Sequence, residues 1–208
     1  MKIDFVSDVA CPWCAVGLNS LETALQQLGP QVPVELHFQP FELNPDMAPQ
    51  GEAVLEHLAR KYGTSPAQLE ASRQHLHERG AAVGFAFGTR ARVWNTFDAH
   101  RLLHWAGLQG RQRELKHALL QAYHGRGDNP GDPAVLLACA RAAGLDAEAA
   151  RAIIESQQFA QEVREREAYY QNQGIRSVPS VIINDRHLIE GGQPPEVFLQ
   201  ALQQLAGA

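Results

Sequence analysis

The sequence predicts an α/β fold in which a β-α-β segment and a β-β-α segment are separated by a large all-helical insertion. Three observations support this fold class. A short strand pattern at residues 3–6 is followed by an amphipathic helix and a second strand. Helical periodicity then dominates the middle of the chain, and two short strand patterns with a final amphipathic helix occupy its end.

The first β-α-β unit is predicted from hydrophobic periodicity. Ile3 and Phe5 alternate with Asp4, as residues of a half-buried strand do. Gly29-Pro30 ends the helix that follows, because glycine tolerates the left-handed conformation and proline cannot continue a helix. Residues 34–38 alternate again and form the second strand. The apolar stripe of the helix has spacings of four and three residues and consists of Cys14, Leu18, Leu21, Leu25 and Leu28.

Residues 44–173 are predicted to form the insertion. Ser65-Pro66-Ala67-Gln68 combines an N-cap serine, a proline at the first helical position and a capping-box glutamine. Asp132-Pro133 starts a further helix, which Gly144 ends. Residues 83–92 show no clear period and are predicted to be a connector. Helical spacing recurs in residues 99–106 and 115–122, and a last helix covers residues 159–170.

The end of the chain is predicted to be two strands and a helix. Residues 178–183 are mostly β-branched or apolar, Asn184-Asp185-Arg186 supplies a turn, and a second short strand follows. Pro194-Pro195 opens the terminal helix. The order β-α-β then β-β-α is that of the thioredoxin fold, here as a discontinuous domain of residues 1–43 and 174–208.

Composition excludes several classes of protein. A net charge of −5 on 208 residues argues against a broad surface for nucleic acid or anionic membrane. The basic stretch 111–116 is interrupted by Glu114 and is interpreted as a solvated helix face. No run approaches the ~18 apolar residues of a membrane span. Asp4 and Asp8 stand where a signal peptide needs its apolar core, so we expect a cytoplasmic protein.

Two of the three cysteines stand in Cys11-Pro12-Trp13-Cys14, between the first strand and the first helix. A cysteine attacks a disulfide as thiolate, and the N-terminus of a helix favours negative charge on the sulfur. Cys11 is therefore predicted to be an exposed nucleophile. Cys14, one turn later on the buried stripe, is predicted to be the shielded resolving thiol. Three cysteines do not suffice for a disulfide framework.

The alternative interpretation of this cysteine pair is that it forms half of a zinc site. It needs two more ligands, and no second C-x-x-C or histidine pair follows at finger-like distance. His100 and His104 are four residues apart on a predicted helix, an arrangement that is more often a coincidence of a helix surface than a metal site. Cys139 lies in an apolar run and is predicted to be a core residue. We expect no metal.

Several other segments, taken together with the cysteine motif, resemble those of a known protein family. Ser177-Val178-Pro179-Ser180 precedes the third strand; together with the motif and the insertion it resembles the DsbA-like branch of the thioredoxin superfamily. Three further segments resemble those of the FrnE-like subgroup, and the motifs follow in order over nearly the whole chain. These segments are Phe41-Glu42-Leu43-Asn44-Pro45, Asn95-Thr96-Phe97-Asp98-Ala99-His100-Arg101-Leu102 and Gly191-Gly192-Gln193-Pro194-Pro195.

The resemblance implies substrate contacts outside the motif. Pro179 is then a cis-proline beside the disulfide, and the backbone of Val178 is free to pair with an extended substrate segment. Asn44, Asn95 and Thr96 are expected to bind substrate through polar contacts. Asn95 or Thr96 also suits the N-cap of the helix that follows, and the two roles are compatible.

Within the motif, Pro12 and Trp13 are expected to contact substrate beside Cys11. Indole carries no positive charge, so Trp13 cannot hold the thiolate as an imidazolium would. We therefore expect a milder oxidant than the strongest DsbA-type enzymes.

The predicted activity is thiol–disulfide exchange or isomerisation with protein or small-molecule partners. The alternative is a glutathione-dependent isomerase or transferase, because relatives on this scaffold include 2-hydroxychromene-2-carboxylate isomerases and kappa-class glutathione transferases. Those enzymes typically have serine where Cys11 stands here. A non-catalytic or metal-carrying module is the third hypothesis. No tightly bound cofactor is expected beyond the redox-active cysteine pair; glutathione is a candidate co-substrate, and a homodimer is a candidate assembly.

Overall fold

The computed structural model describes residues 1–207. Its strands in chain order are β1 (Lys2–Ser7), β2 (Glu35–Pro40), β3 (Glu52–Ala53), β4 (Arg92–Val93), β5 (Ser180–Ile183) and β6 (His187–Glu190). Its α-helices are α1 (Pro12–Leu28), α2 (Val54–Tyr62), α3 (Pro66–Ala82), α4 (Phe97–Leu108), α5 (Gln112–Leu120), α6 (Pro133–Ala142), α7 (Ala147–Ile154), α8 (Ala160–Asn172) and α9 (Pro195–Ala206). A π-helical turn, Gln121–Gly125, continues α5.

The main sheet has the strand order β2-β1-β5-β6. β1 runs parallel to β2, with Phe5 opposite Phe38, and antiparallel to β5. β5 and β6 form the predicted hairpin, in which Asn184 and Asp185 adopt positive φ angles of 52° and 57°. This topology confirms the thioredoxin fold that the sequence predicts.

The insertion contains α2 to α8 and one element that the all-helical prediction missed. β3 and β4 pair as a two-residue antiparallel ribbon, Glu52 with Val93 and Ala53 with Arg92. A ribbon this short has no periodicity for sequence analysis to detect. The capping box of Ser65 and Gln68 is confirmed, with both reciprocal hydrogen bonds present. The domain boundaries at residues 43/44 and 173/174 stay a prediction.

Two of the three hydrophobic cores correspond broadly to the two parts of the chain. One packs the main sheet against α1 and α9, and its buried members include Phe5, Leu18, Val181 and Phe198. The other lies within the insertion and is built from α4 to α7. Val9 and Ala10, immediately before the cysteine motif, belong to this second core. The start of the motif is therefore held by both parts of the fold.

The free edge of β2 is covered by a side chain of α5. The backbone N–H of Phe38 donates to Gln112 Oε1 at 2.9 Å, and Gln112 Nε2 donates to the carbonyl of Phe38 at 3.0 Å. The amide of Gln112 thus pairs with the edge strand as a neighbouring strand would. Glu22 of α1 adds a second anchor, since it accepts from Arg113 at 2.6 Å and pairs with His117 at 2.9 Å. These contacts fix α5 beside the redox motif.

Within residues 1–207, no helix is long and apolar enough to cross a membrane.

Candidate active site

The cysteine motif forms the N-terminus of α1. Cys11 is the N-cap residue, with extended φ and ψ of −87° and 114°, and Pro12 occupies the first turn. A tight turn from β1 sets this geometry, because the N–H of Cys11 donates to the carbonyl of Asp8 at 3.2 Å. The sulfur of Cys11 lies beside the free N–H groups of the first helical turn. The predicted placement of the motif between strand and helix is confirmed.

The environment of Cys11 favours its thiolate. The thiol of Cys14 donates a hydrogen bond to Cys11, and this is the main cause that lowers the pKa of Cys11. Backbone N–H groups of Trp13 and Cys14 lower the pKa further, while burial and the charge of Asp8 oppose them. Burial raises the pKa of Cys14 well above its usual value, and the neighbouring Cys11 adds to this rise. The pair is therefore divided into an ionisable thiol and a protonated one.

The expected exposure of Cys11 is wrong. Only 4% of Cys11 is accessible, and Cys14 is fully buried. One reason is the segment before β5: the Cys11 thiol donates to the carbonyl of Val178 at 3.4 Å. The local sequence places Cys11 at a helix terminus, but it does not identify the distant segment that covers the sulfur.

The Val178-Pro179 peptide bond is cis, as the resemblance implied. Val178 is half-buried and its carbonyl faces Cys11, while the carbonyl of Pro179 accepts from the N–H of Gly191 at 2.8 Å. Pro179 packs on α1 at Gly17, where a Cβ would lie 2.9 Å from Pro179 Cγ. The glycine in the second turn of α1 therefore permits the close approach of the proline loop to the motif.

Asp8 is a buried carboxylate at the centre of the site. Its Oδ1 accepts from the N–H of Ala10 at 3.0 Å and from the hydroxyl of Thr96 at 2.7 Å, and it lies 3.3 Å from His100 Nε2. Its Oδ2 accepts from the N–H of Leu43 at 2.7 Å. Burial raises the pKa of Asp8, but His100 and the backbone donors outweigh burial and lower it overall. Asp8 thus joins the motif to α4 and to the segment after β2.

Lys116 is a second buried charge behind the cysteines. It lies on α5 one turn after Gln112 and therefore on the same face, which the edge of β2 orients. Only 1% of Lys116 is accessible, so its assignment to a solvated helix face is wrong. Burial lowers the pKa of Lys116, while the charges of Cys14, Asp8 and Cys11 act in the opposite direction. In turn, the ammonium of Lys116 favours the thiolate of Cys14.

Lys61 and Tyr62, at the end of α2, lie at the mouth of the site. The ammonium of Lys61 donates to the carbonyl of Leu43 at 2.7 Å and to Asn44 Oδ1 at 2.8 Å. Both acceptors are neutral, so the charge of Lys61 is not cancelled by a carboxylate. Burial lowers the pKa of Lys61, and the charges of Asp8 and Cys11 counteract it; Cys11 also adds to the raised pKa of Tyr62.

Trp13 joins the motif to α3 and to the loop before α9. Its indole lies 5.7 Å from the ring of His75 and 5.9 Å from the guanidinium carbon of Arg79. Arg79 also donates to the carbonyl of Gly192 at 2.8 Å, and a Cβ on Gly192 would lie 3.0 Å from the carbonyl oxygen of Trp13. Trp13 and Pro12 both remain half-buried and so retain surface beside Cys11.

The two polar residues before α4 have different roles. Thr96 is the N-cap residue of α4 but makes no side-chain capping hydrogen bond; Asn95, one residue earlier, accepts from the N–H of Phe97 at 2.9 Å through its Oδ1. Thr96 is 3% accessible and its hydroxyl is bound to Asp8, so a direct substrate contact by Thr96 is wrong for this structure. A hydroxyl that donates a hydrogen bond to a buried carboxylate cannot also face solvent.

The histidine pair of α4 is divided between two environments. His100 is buried against Asp8, whereas the ring of His104 stacks 5.2 Å from that of Phe159. The expectation that both lie on a helix surface is therefore wrong for His100. Among residues 1–207, no group of three or more histidine, cysteine, aspartate or glutamate side chains is arranged to hold a metal ion. Cys139 lies in the core of the insertion, as predicted.

Sequence patterns do not single out three charged residues of the candidate site: Asp8, Lys61 and Lys116. A signal for Asp8 was present, since an acid follows directly on a strand that leads into the motif. No sequence pattern marks Lys116 as buried, because its four-carbon stem suits an exposed or a buried helix position equally well. Lys61 lies 47 residues from Cys14 in a different element, and only the fold brings it to the mouth.

Comparisons with known proteins agree with this geometry. The sequence matches the model of the DSBA-like thioredoxin domain over residues 2–203. A probable DsbA oxidoreductase from Streptomyces coelicolor is 38% identical, with a TM-score of 0.93 over 100% of this chain and 90% of that one. A 2-hydroxychromene-2-carboxylate isomerase has a TM-score of 0.74 at 16% identity, covering 99% and 96% of the chains. The cytosolic disulfide reductase DsbM from Pseudomonas aeruginosa, solved with GSH, has a TM-score of 0.69 at 18% identity and full coverage of both chains.

Proposed function

The chain belongs to the DSBA-like thioredoxin domain family, and from this premise we propose that it is a thiol–disulfide oxidoreductase acting through Cys11 and Cys14. One observation carries the proposal. The Cys11 sulfur stands at the N-cap of α1, with Cys14 one turn later, and it lies 3.4 Å from the carbonyl of Val178. A thiol with a lowered pKa, a partner within bonding reach and an adjacent backbone for an extended substrate are the three requirements of disulfide exchange.

The reaction proceeds in two exchanges. The Cys11 thiolate attacks one sulfur of a substrate disulfide, which breaks the S–S bond, releases one substrate thiolate and leaves a mixed disulfide with Cys11. Cys14 then loses its proton and attacks Cys11 Sγ, which releases the second substrate thiolate. The substrate gains two electrons and the enzyme dithiol becomes the Cys11–Cys14 disulfide. The reverse sequence oxidises a substrate dithiol.

The electrostatics suit the two cysteines to successive steps. Cys11 ionises first, because Cys14 and the first-turn N–H groups stabilise its charge. Once Cys11 is in a mixed disulfide, its negative charge no longer opposes ionisation of Cys14. The ammonium of Lys116 then remains the positive charge that favours a Cys14 thiolate within the protein interior. Lys116 is thus proposed to act through Cys14 and not on the substrate.

Lys61 is proposed to supply the positive charge that Trp13 lacks. Its ammonium is fixed by Leu43 and Asn44 and lies close enough to Cys11 for their charges to interact. Asn44 therefore acts through Lys61, while Pro12, Trp13 and the half-exposed Asn95 border the approach to Cys11.

Glutathione is the proposed small-molecule partner and the cytoplasm the proposed setting. Support comes from the fold shared with a cytosolic disulfide reductase whose structure was solved with GSH. The isomerase of the same fold supports the alternative of a glutathione-dependent isomerase. Cys11 argues against that alternative, because a protein thiolate at this position competes with the thiol of glutathione for the electrophile.

Insulin reduction tests the proposal. Wild-type protein, Cys11→Ser, Cys14→Ser and the control Cys139→Ala are compared with glutathione as reductant. We expect both motif variants to lose at least ~10-fold in turnover, because each interrupts one exchange, and the control to retain activity. Full activity of Cys11→Ser, in this assay or in glutathione-dependent isomerisation, would exclude the proposed chemistry.

A further inference from the structure

A cavity lined by Lys116 opens beside helix α5. It has a volume of about 450 Å³ and opens between the edge strand β2 and helices α4, α5 and α8. This volume is in the range of small-molecule sites. The lining residues used below are Lys116, Arg113, Arg166, His104 and Glu114.

The charges that line the cavity are mostly positive. Lys116, Arg113 and Arg166 are the lysine and arginine side chains among the lining residues, and Glu114 is the carboxylate among them. Glu114 is paired with Arg111 at 3.2 Å, and Arg113 is paired with Glu22 at 2.6 Å. Lys116 and Arg166 remain, and within residues 1–207 neither forms an ion pair or a side-chain hydrogen bond.

Of Lys116 and Arg166, Lys116 gives the stronger indication that the cavity binds a ligand. It is 99% buried, and a buried ammonium without hydrogen-bond acceptors is unfavourable unless a ligand or water supplies them. Asp8 and the cysteine sulfurs affect it only through charge at a distance. An oxygen acceptor bound in the cavity that Lys116 lines would supply the hydrogen bonds that its ammonium lacks.

From this arrangement we infer that the cavity binds a small organic anion, whose carboxylate or phosphate oxygens accept hydrogen bonds from Lys116 and Arg166. The two cations come from α5 and α8, on different walls, so a multiply charged anion engages both. His104 lies near Arg166 and adds a ring nitrogen on the α4 wall.

The site is coupled to the redox state of the motif. In the dithiol form, thiolate charge on the cysteines already attracts Lys116. In the disulfide form that charge is absent, so the ammonium is more available to an anion in the cavity. By linkage, the oxidised protein binds the anion more tightly than the reduced protein.

Isothermal titration calorimetry of the full chain tests the inference, with citrate and glycerol 3-phosphate as separate probes and glycerol as the neutral control. We expect saturable binding of at least one anion, at least about fivefold tighter to the oxidised than to the reduced protein. We expect Arg166→Gln to weaken binding at least ~10-fold. Arg141→Gln, an exposed arginine of α6 outside the cavity, is the matched control.

The two redox exchanges do not involve Arg166, so insulin reduction by Arg166→Gln should equal that of wild type. Near-ultraviolet circular dichroism confirms that each variant is folded. Absence of saturable binding of both anions would overturn the inference. Equal affinity of Arg166→Gln and wild type, or of the two redox forms, would overturn it as well.

Discussion

The ring of Pro179 packs directly on Gly17 of α1, so closely that a Cβ on Gly17 would lie 2.9 Å from Pro179 Cγ. The contact holds the loop whose Val178 carbonyl lies against Cys11. The position of the Val178 carbonyl beside Cys11 therefore depends on the absence of a side chain at Gly17.

Gly17→Ala is expected to push this loop away from the motif. Overpacking of a buried contact destabilises by about 1–3 kcal/mol, and the displaced Val178 carbonyl should slow attack by Cys11. Urea unfolding and insulin reduction measure the two effects. Gly207→Ala is the control, because a Cβ there meets only the carbonyl oxygen of Gln203, at an ordinary contact distance of 3.6 Å. Wild-type stability and rate in Gly17→Ala would show that the contact has no structural role.

Lys61→Met is expected to raise the pKa of Cys11. Removal of a positive charge near a thiolate makes ionisation less favourable, so we expect the pKa of Cys11 to rise. The thiolate absorbance of Cys11 in a Cys14→Ser, Cys139→Ala background, followed against pH, reports the pKa directly. Arg73→Met, on the exposed face of α3, serves as control. An unchanged titration midpoint in Lys61→Met would remove Lys61 from the site.

Lys116→Met is expected to slow the second exchange and not the first. Without the ammonium, the buried Cys14 thiolate becomes harder to form, so the mixed disulfide should persist ~10-fold longer or more. Acid-quenched mass spectrometry follows the mixed disulfide with time. The variant should be at least as resistant to urea as wild type, because replacing a buried charge by an apolar chain of similar size is often stabilising. Slower attack by Cys11 with normal resolution would contradict the assigned role.

The burial of Glu42 and Glu167 predicts that the free energy of unfolding depends on pH. Arg164 donates to both carboxylates, at 2.8 Å to Glu167, and the remaining oxygen of each is buried without another partner. Burial, with the charge of Glu167, raises the pKa of Glu42 from 4.5 to about 7. The folded state therefore keeps a proton that the unfolded chain releases above pH 4.5. The free energy of unfolding should fall as pH rises from 4.5 to 7, by up to about 3 kcal/mol.

Glu42→Gln tests that prediction. The amide cannot ionise, so the variant should be more stable than wild type at pH 8 and should lose most of the slope between pH 5 and pH 7. Urea unfolding at intervals of pH measures both quantities. Glu56→Gln, at an exposed position of α2, is the control. If the free energy of unfolding of Glu42→Gln still falls between pH 5 and pH 7, a group other than Glu42 holds the proton.

Patterns within short stretches of sequence predicted much of this molecule. The strand before Cys11, the helix with its buried stripe, the capping box of Ser65 and the turn at Asn184-Asp185 are local features, and each is present. The cis peptide before Pro179 came from resemblance and not from local physics.

Contacts between distant segments were beyond sequence analysis. Thr96 looked like a substrate contact because it precedes a helix, but its partner Asp8 is 88 residues away. Lys116 looked solvated because its neighbours are charged, yet the pairing of Gln112 with the edge of β2 turns it inward. Burial of Cys11 has the same origin, in a loop 167 residues later.

The most direct test of the central claim is intact-protein mass spectrometry after incubation with oxidised glutathione at pH 7. Cys14→Ser and Cys11→Ser are compared in a Cys139→Ala background, so that each carries a single cysteine. If Cys11 is the nucleophile and Cys14 the resolving thiol, Cys14→Ser acquires one glutathionyl group on Cys11 at least ~10-fold faster than Cys11→Ser acquires one on Cys14. Equal labelling of the two variants, or faster labelling of Cys14, would contradict the assignment.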